Sequence, residues 1–499
     1  MHLFPLLRDV DIVSLHCPAD LSIFSIVSDS RRAVPGCLFL CLSGSRTNGH
    51  LFIREAVSRG AAAVVMDTAH PAPEGIPAVV VENTRLAASK IWNNYYGDPT
   101  KNMKVIAVTG TNGKTSTSYI LRAILNGAGM RTALIGTVRC LCGDEEIPLD
   151  GGGEIPDIPS AMTTPDPEFL YGIAAEMKKR GSEVLILEVS SHALSLHKAD
   201  ALKMDLGIFT NLSPEHLDYH GTMDAYLRAK ARLFKLVPEG ILNADDPAAE
   251  TIAELMPDCR YIRCSPRGNE GNVRALRTRM RGLSGVEYLY FSDSAVFGVQ
   301  CGVPGRFTVE NTLLAAAAAR QMGVDPLTIR EAIASFPGVT GRMERVLLPE
   351  ADFSLFLDYA HTPEALRALL QTVRDFRRPG QRIVLLFGCG GDRDPSKRPE
   401  MGRIASSLAD FVILTSDNSR SESPQAILND ILRGVDKEKP HTVIADRREA
   451  IAYAVQHAQK DDILLFAGKG HETYEITGEG KFPFDERETA REAFARRSR

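Results

Sequence analysis

The sequence has no surplus of positive charge: 58 lysines and arginines stand against 63 aspartates and glutamates, a net charge of −5. Nucleic-acid binders usually carry a basic excess, so the balance argues against that class while leaving room for a local basic patch that holds a phosphorylated substrate. Paired cysteine spacing is also missing. The nine cysteines are odd in number and scattered, with no Cys-x-x-Cys. A disulfide framework or structural zinc site is therefore not expected, and a reducing cytoplasm fits. No stretch approaches the ~20 apolar residues needed to cross a bilayer, so no membrane insertion is expected. The opening MHLFPLLRDVDIV carries Arg8, Asp9 and Asp11 early, where a signal peptide needs a basic segment and then a long apolar run. There is no repeat array and no low-complexity tail.

What is present is a globular composition, 44% hydrophobic and 24% charged, over a length that suits about three domains. Residues 1–97 hold short apolar runs (CLFLCL, AAAVVM, AVVV) between turn residues, as in a small α/β domain, and Tyr96–Thr100 is rich in turn formers. Residues 98–337 open with the β-branched run KVIAVT, then a glycine loop, a helical stretch over 114–127, a helical pattern near 168–180 and the buried-strand candidate EVLILEV. From about 338 to 499, FSLFLDY, RIVLLFG, FVILTSD and DDILLFAGKG alternate with helical patterns. Strands alternating with helices predict parallel α/β sheets. Ligands in such sheets bind beyond the carboxyl ends of the strands, where the polar clusters lie.

Gly110, Thr111, Asn112, Gly113, Lys114, Thr115 and Ser116 join the first central strand to its helix. Glycines let backbone N–H groups approach phosphate oxygens, and a helix N-terminus adds positive potential. Lys114 can reach the terminal phosphates of ATP, and the Thr115 hydroxyl can sit on Mg²⁺. The loop is a shortened variant, with Val108 where the usual pattern has its first glycine; an ordinary glycine turn with a surface lysine is the competing reading. Glu188 ends the strand EVLILEV, where a carboxylate suits Mg²⁺, although a solvated strand end would look the same. His216 lies in TNLSPEHLDYH and Lys230 in the helical AYLRAKARLF. By residue type alone His216 is an occasional ligand, and a lysine in a helix is ordinarily an exposed charge.

GTNGKTS, EVSSHAL, TNLSPEHLDYHGT, LNADD, GRFTVEN, GRME, LDYAHTPEAL, FGCGGDRDPSKRPEMG, DNSRSE and AGKGHETY, in this order, resemble the motifs of the Mur ligases over essentially the whole chain. The resemblance implies a small N-terminal α/β UDP-binding domain, a central P-loop-type ATPase domain and a C-terminal Rossmann-like domain. It implies a cytoplasmic, ADP-forming amide ligase of peptidoglycan synthesis, and so of cell shape and division, expected to act as a monomer. ATP phosphorylates a carboxylate, and an amine displaces the phosphate. The member most resembled adds a diamino acid to the γ-carboxylate of D-Glu in UDP-MurNAc-L-Ala-D-Glu. Lys114, Glu188, His216, Lys230 and His361 are then the catalytic set. Thr115 and Glu188 would hold one Mg²⁺, while His216 and Lys230, the latter carbamoylated to N6-carboxylysine, would hold a second. Asn311, Arg342 and Asp358 are implied as nucleotide contacts. Ser30, Thr163, Thr164, Ser190 and Lys198 are implied for the UDP substrate. Read alone, SDSRR is only a polar turn and TTPD a helix start.

Arg393, Asp417, Asn418, Arg420, Gly468 and Glu472 resemble the family's amino-acid pocket. Arg420 suits a distal carboxylate through a bidentate fork, and Glu472 suits the distal ammonium. Members using meso-diaminopimelate mostly read Asp-Asn-Pro-Arg; here Ser419 replaces the proline. The retained arginine favours meso-diaminopimelate over L-lysine or L-ornithine. Lys198 stands where relatives carry arginine, keeping charge without the fork, and Glu215 stands where aspartate is usual. A different Mur ligase, a folylpolyglutamate-type ligase and a catalytically dead binding protein are the competing readings. The DNSR and GKGHE motifs oppose the first two, and the retained Lys114, Glu188, His216 and Lys230 oppose the last.

Overall fold

Short β-branched runs that end in glycine or a carboxylate form the strands here, and amphipathic segments between them form the helices that cover both sheet faces. The computed structural model describes the 499-residue chain apart from residues 19, 45–46, 72–74, 148–161 and 498–499. The chain forms two compact units: Met1–Ser265 with Glu270–Asn272 and Leu314–Val324, and Pro266–Asn269 with Val273–Leu313 and Asp325–Arg499. No helix among the described residues is long and apolar enough to cross a membrane.

The first unit contains two sheets. In the N-terminal one, Ser25–Val27, Cys37–Leu40, Ala63–Asp67 and Ala78–Val81 run parallel, and Ile12–His16 closes one edge antiparallel. In the second, Lys104–Thr109 lies centrally, between Val184–Glu188 and Leu206–Phe209. Thr132–Ile135 flanks the former, and Glu239–Asn243 and Arg260–Ser265 continue beyond the latter, all parallel. The chain moves outward to Thr132–Ile135, returns through Val184–Glu188, and then crosses to the other side. The sheet order therefore reverses at Lys104–Thr109, and the strand ends there open a crevice. An apolar cluster runs from Leu3, Leu40 and Ile91 to Leu170, Ile173 and Leu187, so the helix Thr84–Tyr95 is buried between the two sheets' layers.

In the second unit, Val273–Met280, Val286–Ser292 and Ala295–Cys301 form an antiparallel meander. The C-terminal sheet places Ile463–Ala467 between Ser354–Asp358 and Ile383–Phe387, followed by Phe411–Leu414 and His441–Val443. All are parallel, with Glu344–Val346 antiparallel at one edge. Each face carries its own core, one around Leu366, Leu385 and Ile404, the other around Leu357, Leu386 and Ile451.

Beneath this sheet's carboxyl ends, Arg447 and Glu486 form an ion pair at 2.8 Å with both side chains 0% exposed. The guanidinium also donates to the carbonyls of Ser416 and Ala467. Removing one partner leaves the other charge buried. Arg447→Met is therefore expected to destabilise this unit by about 3–5 kcal/mol, which calorimetry would read as a melting transition roughly 10 °C lower.

Candidate active site

The phosphate-type loop leaves Lys104–Thr109 and enters the helix Lys114–Gly127 with Gly110 and Gly113 at positive φ, 149° and 83°. A Cβ at Gly110 would collide with the Thr210 hydroxyl, so glycine is needed for close approach as well as for its backbone angles. The loop is fixed from the neighbouring strand end. Thr111 N donates to Asn211 O at 2.8 Å, Asn112 N to Asn211 Oδ1 at 2.9 Å, and Thr210 Oγ1 to Asn112 O at 2.6 Å. Lys114 curls back, its Nζ donating to the carbonyls of Gly110 at 2.9 Å and Thr111 at 2.8 Å.

Lys230 is where residue-type reasoning alone goes wrong. It lies in the helix Met223–Ala231 but is 1% exposed rather than solvated. Its Nζ donates to Gly110 O at 2.7 Å, the same carbonyl that Lys114 uses, and sits 4.5 Å from the Tyr226 ring centroid. Burial holds its pKa well below the ordinary lysine value, and the Lys114 charge pushes the same way. Tyr226 bonds Thr111 through the two hydroxyl oxygens at 3.2 Å, so helix, loop and aromatic ring form one connected group.

Glu188 is 0% exposed at the end of Val184–Glu188. Its Oε2 accepts from the hydroxyls of Thr115 and Thr137, each at 2.9 Å, and its backbone carbonyl accepts from Thr164 Oγ1 at 2.9 Å. The Thr115 and Glu188 oxygens are therefore adjacent, an all-oxygen donor pair that fits a hard divalent cation. His216 adopts φ 56° at the start of Leu217–His220 and faces His192 edge-on at 4.8 Å. Burial lowers the His216 pKa, and Lys114 and Lys230 add to the effect against Glu215, which favours a neutral ring able to bind metal. His192 is depressed to about 4, chiefly by burial. The rings of His192, His220 and Tyr219 and the hydroxyl of Thr137 were not singled out by the sequence. The spacing of HLDYH, with the IGTVR strand end, was the available signal.

The other residues assigned from the sequence in this unit fall into two places. Thr163 Oγ1 lies 3.0 Å from the Thr137 hydroxyl oxygen, and Ser190 caps Ser191–Ser195 through Ala193 N. Lys198 is buried, its Nζ 2.8 Å from Asp166 Oδ1 and 3.5 Å from Thr164 O. The SDSRR turn is a 3-10 turn over Ser30–Arg32 capped by Asp29, with Ser30 Oγ donating to Glu55 at 2.8 Å. Arg32 reaches Glu168 in the helix Pro167–Lys179 with two nitrogens, at 2.8 and 3.2 Å. The structure thus ties the SDSRR turn to the helix that follows TTPD.

In the second unit, the carboxyl ends of the C-terminal strands gather the remaining residues apart from Asn311. Asp358 accepts from the backbone N–H groups of Met343 and Ala360, and burial raises its pKa. Arg342 lies 4.8 Å from the Tyr359 ring, and His361 Nδ1 donates to Tyr359 O at 2.8 Å. Asn311 is buried in the helix Arg306–Gln321. Asn418 Nδ2 donates to Glu472 Oε2 at 2.7 Å, while Asn418 Oδ1 accepts from Lys469 Nζ at 3.0 Å. Burial and the neighbouring Asp417 raise the Glu472 pKa. Burial pushes Asp417 up too, but Lys469 and Arg447 draw it below the ordinary carboxylate value. Gly468, at φ 113°, brings the backbone against Asp417 where a Cβ would lie 2.6 Å from Oδ2. Lys469, 0% exposed and central to this network, was missed although it lies inside GKGHE.

Arg420 adopts φ 52° and donates from Nη1 to Gly391 O at 2.8 Å. Its backbone N–H bonds Ile476 O at 3.0 Å, and Gly391 N bonds Asn418 O at 2.9 Å. These bonds fix the loop that Ser419 leaves without its proline. Arg393 is exposed, with its side chain toward Gly390 in the same turn as Arg420 Nη1.

Family profiles match along the chain: the Mur ligase family catalytic domain over residues 22–96, the Mur ligase middle domain over 108–319, and the Mur ligase glutamate ligase domain over 341–470. The chain is 39% identical over 487 residues to the UDP-N-acetylmuramoyl-L-alanyl-D-glutamate–2,6-diaminopimelate ligase of Caldanaerobacter subterraneus, covering 95% of each. It is 39% identical over 507 residues to the protein of the same name from Geobacillus kaustophilus, covering 100% of each. A solved structure of a ligase of that name superposes over 100% of both chains, with a TM-score of 0.69 at 30% identity. MurF from Thermotoga maritima in complex with ADP shares the fold at 18% identity, with a TM-score of 0.58 over 96% of this chain and 98% of that one. The chain therefore belongs to the Mur ligase family.

Proposed function

We propose that this protein is a cytoplasmic, ATP-dependent, ADP-forming ligase. It joins the amino group of meso-2,6-diaminopimelate to the γ-carboxylate of D-Glu in UDP-N-acetylmuramoyl-L-alanyl-D-glutamate, a step of peptidoglycan synthesis. The observation that carries the reading is the pair of lysines, Lys114 and the buried Lys230, converging on the carbonyl of Gly110 in a glycine loop at a strand-order reversal. A glycine loop with the Lys114 cation and a helix N-terminus beside its backbone N–H groups suits phosphate oxygens, and relatives of the same length carry the corresponding name.

In this reading residues 1–97 hold the uridine nucleotide, 98–337 the ATP phosphates and 338–499 the amino acid. Ser30, Thr163, Thr164, Ser190 and Lys198 serve the UDP substrate; Asn311, Arg342 and Asp358 serve the nucleotide, and His361 acts near the transferring phosphate. Lys114 exchanges its loop carbonyls for phosphate oxygens. The Lys230 amine, whose pKa burial holds well below the ordinary lysine value, adds in its neutral form through its lone pair to the carbon of CO₂ and loses a proton to solvent. The carbamate that results turns a cation into an oxygen ligand. Thr115 and Glu188 would hold one Mg²⁺, and His216 with carbamoylated Lys230 a second; when bound, Mg²⁺ neutralises the phosphate charge that develops during transfer. The γ-phosphoryl group passes from ATP to a carboxylate oxygen of D-Glu. The incoming amine then attacks the acyl carbon and expels phosphate. Asn418 and Glu472 receive the distal ammonium, and Arg420, with Arg393 beside it, the distal carboxylate.

Phosphate release tests the reaction class. The purified protein with ATP and Mg²⁺ is expected to release phosphate only when both the UDP-linked dipeptide and a diamino acid are present. Release that ignores either one contradicts the reading.

A further inference from the structure

A second group of potential metal ligands lies in the N-terminal sheet, away from the phosphate loop and built from residues with no part in the reaction above. Asp67 ends the strand Ala63–Asp67, His70 follows three residues later, and His50 sits in the turn Gly49–Phe52. His50 Nε2 is 3.4 Å from Asp67 Oδ1, and His70 Nδ1 is 2.7 Å from the same oxygen. One donor atom from each residue lies within 4.8 Å of the other two, and no other His/Cys/Asp/Glu group among the described residues meets that spacing.

Asn48 sets the orientation of both rings. Its Oδ1 accepts from the His50 backbone N–H at 3.0 Å and from ring Nδ1 at 2.7 Å, and its Nδ2 lies 3.3 Å from His70 Nε2. His50 therefore carries its proton on Nδ1, and its single Nε2 lone pair accepts the Asp67 backbone N–H at 3.1 Å, a hydrogen bond that a cation at Nε2 replaces. Fixing one ring nitrogen so that the other is presented as a ligand is how outer-shell groups support metal-binding histidines. The His50 side chain is 1% exposed and cannot turn away, while His70 is 32% exposed and is held by ring hydrogen bonds to Asp67 and Asn48 that it gives up on reorienting. The two rings are stacked, with centroids 3.9 Å apart and 8° between planes, so His70 is the one that reorients to share a ligand.

We propose that His50, Asp67 and His70 bind a divalent cation of the Zn²⁺ class, with water in the fourth position, pinning the turn that carries His50 to the end of the strand. Two imidazoles and one carboxylate are a donor set for Zn²⁺ or Co²⁺ rather than for Mg²⁺. A purely hydrogen-bonded brace made by the same four side chains is the alternative that the experiment separates.

The full-length protein, in excess Mg²⁺ to occupy oxygen-rich sites, is incubated with Zn²⁺, desalted and assayed for retained metal. The wild type is expected to keep one equivalent of Zn²⁺ that His70→Ala and Asp67→Asn do not keep. Asn48→Ala is expected to bind it roughly 10–100-fold more weakly, as loss of an outer-shell partner does. Wild type loaded with Co²⁺ is expected to show the visible absorption of a tetrahedral nitrogen–oxygen site, a readout that needs no variant. Zn²⁺ retention equal in wild type and His70→Ala, or a Co²⁺ spectrum with no tetrahedral signature, overturns the proposal.

Discussion

Lys230→Ala is expected to abolish ligase activity while leaving the fold intact, and short carboxylic acids added to the assay are expected to restore part of it. The side chain is buried to 1% exposure, donates to Gly110 O, and lies beside Lys114. A protonated amine there repels the lysine that must handle phosphate, so the position makes sense as a neutral amine or as an anion. Alanine leaves a cavity beside the Tyr226 ring that a small carboxylate can enter, supplying the oxygen ligands of the missing carbamate. Initial rates with and without acetate or formate, alongside circular dichroism, read the outcome directly. Full activity in the variant rules out the carbamate ligand. A folded, inactive variant that no carboxylate rescues points to a role other than supplying oxygen.

Arg420→Ala is expected to raise the KM for meso-diaminopimelate strongly with a smaller change in kcat. Losing a charge-assisted hydrogen bond of ~1.5–3 kcal/mol corresponds to roughly ten- to 150-fold. Arg420 already has Nη1 on Gly391 O and its backbone on Ile476 O, so its position is set before any substrate arrives. Alanine removes the cationic face toward a carboxylate together with the Nη1 bond to Gly391 O, while the backbone bond to Ile476 O remains. Lysine at this position is expected to recover part of the loss, because it keeps the charge without the planar fork. An unchanged KM in Arg420→Ala removes Arg420 from the pocket.

Much of the α/β framework could be read from the sequence because buried parallel strands are short continuous apolar runs. KVIAVT forms Lys104–Thr109, and the helix expected over 114–127 spans Lys114–Gly127. EVLILEV contributes Val184–Glu188, and the helix expected near 168–180 spans Pro167–Lys179. The antiparallel meander over Val273–Cys301 was not foreseen, since its strands alternate buried and exposed residues among arginines and lack a continuous apolar run. The phosphate loop could be read from its strand–glycine–helix context. Lys230 could not, because burial of a helical lysine depends on what packs over it, and only the family resemblance marked it. The SDSRR turn was equally opaque: Arg32 meets Glu168 across a separation of 136 residues, which no local pattern encodes. Ser419 illustrates the converse. A serine in place of proline lifts the restriction on φ, yet backbone bonds from Gly391 and Arg420 hold the loop.

The central claim is that the second unit's Arg420, Asn418 and Glu472 select a diamino acid bearing a distal carboxylate. Its most direct test is ligation itself: purified protein, ATP, Mg²⁺ and UDP-N-acetylmuramoyl-L-alanyl-D-glutamate, with meso-diaminopimelate, L-lysine and L-ornithine in parallel, and products identified by mass. The account predicts a tripeptide product with meso-diaminopimelate and little or none with the other two. Preferential joining of lysine or ornithine would contradict it, showing that Arg420 does not read a distal carboxylate.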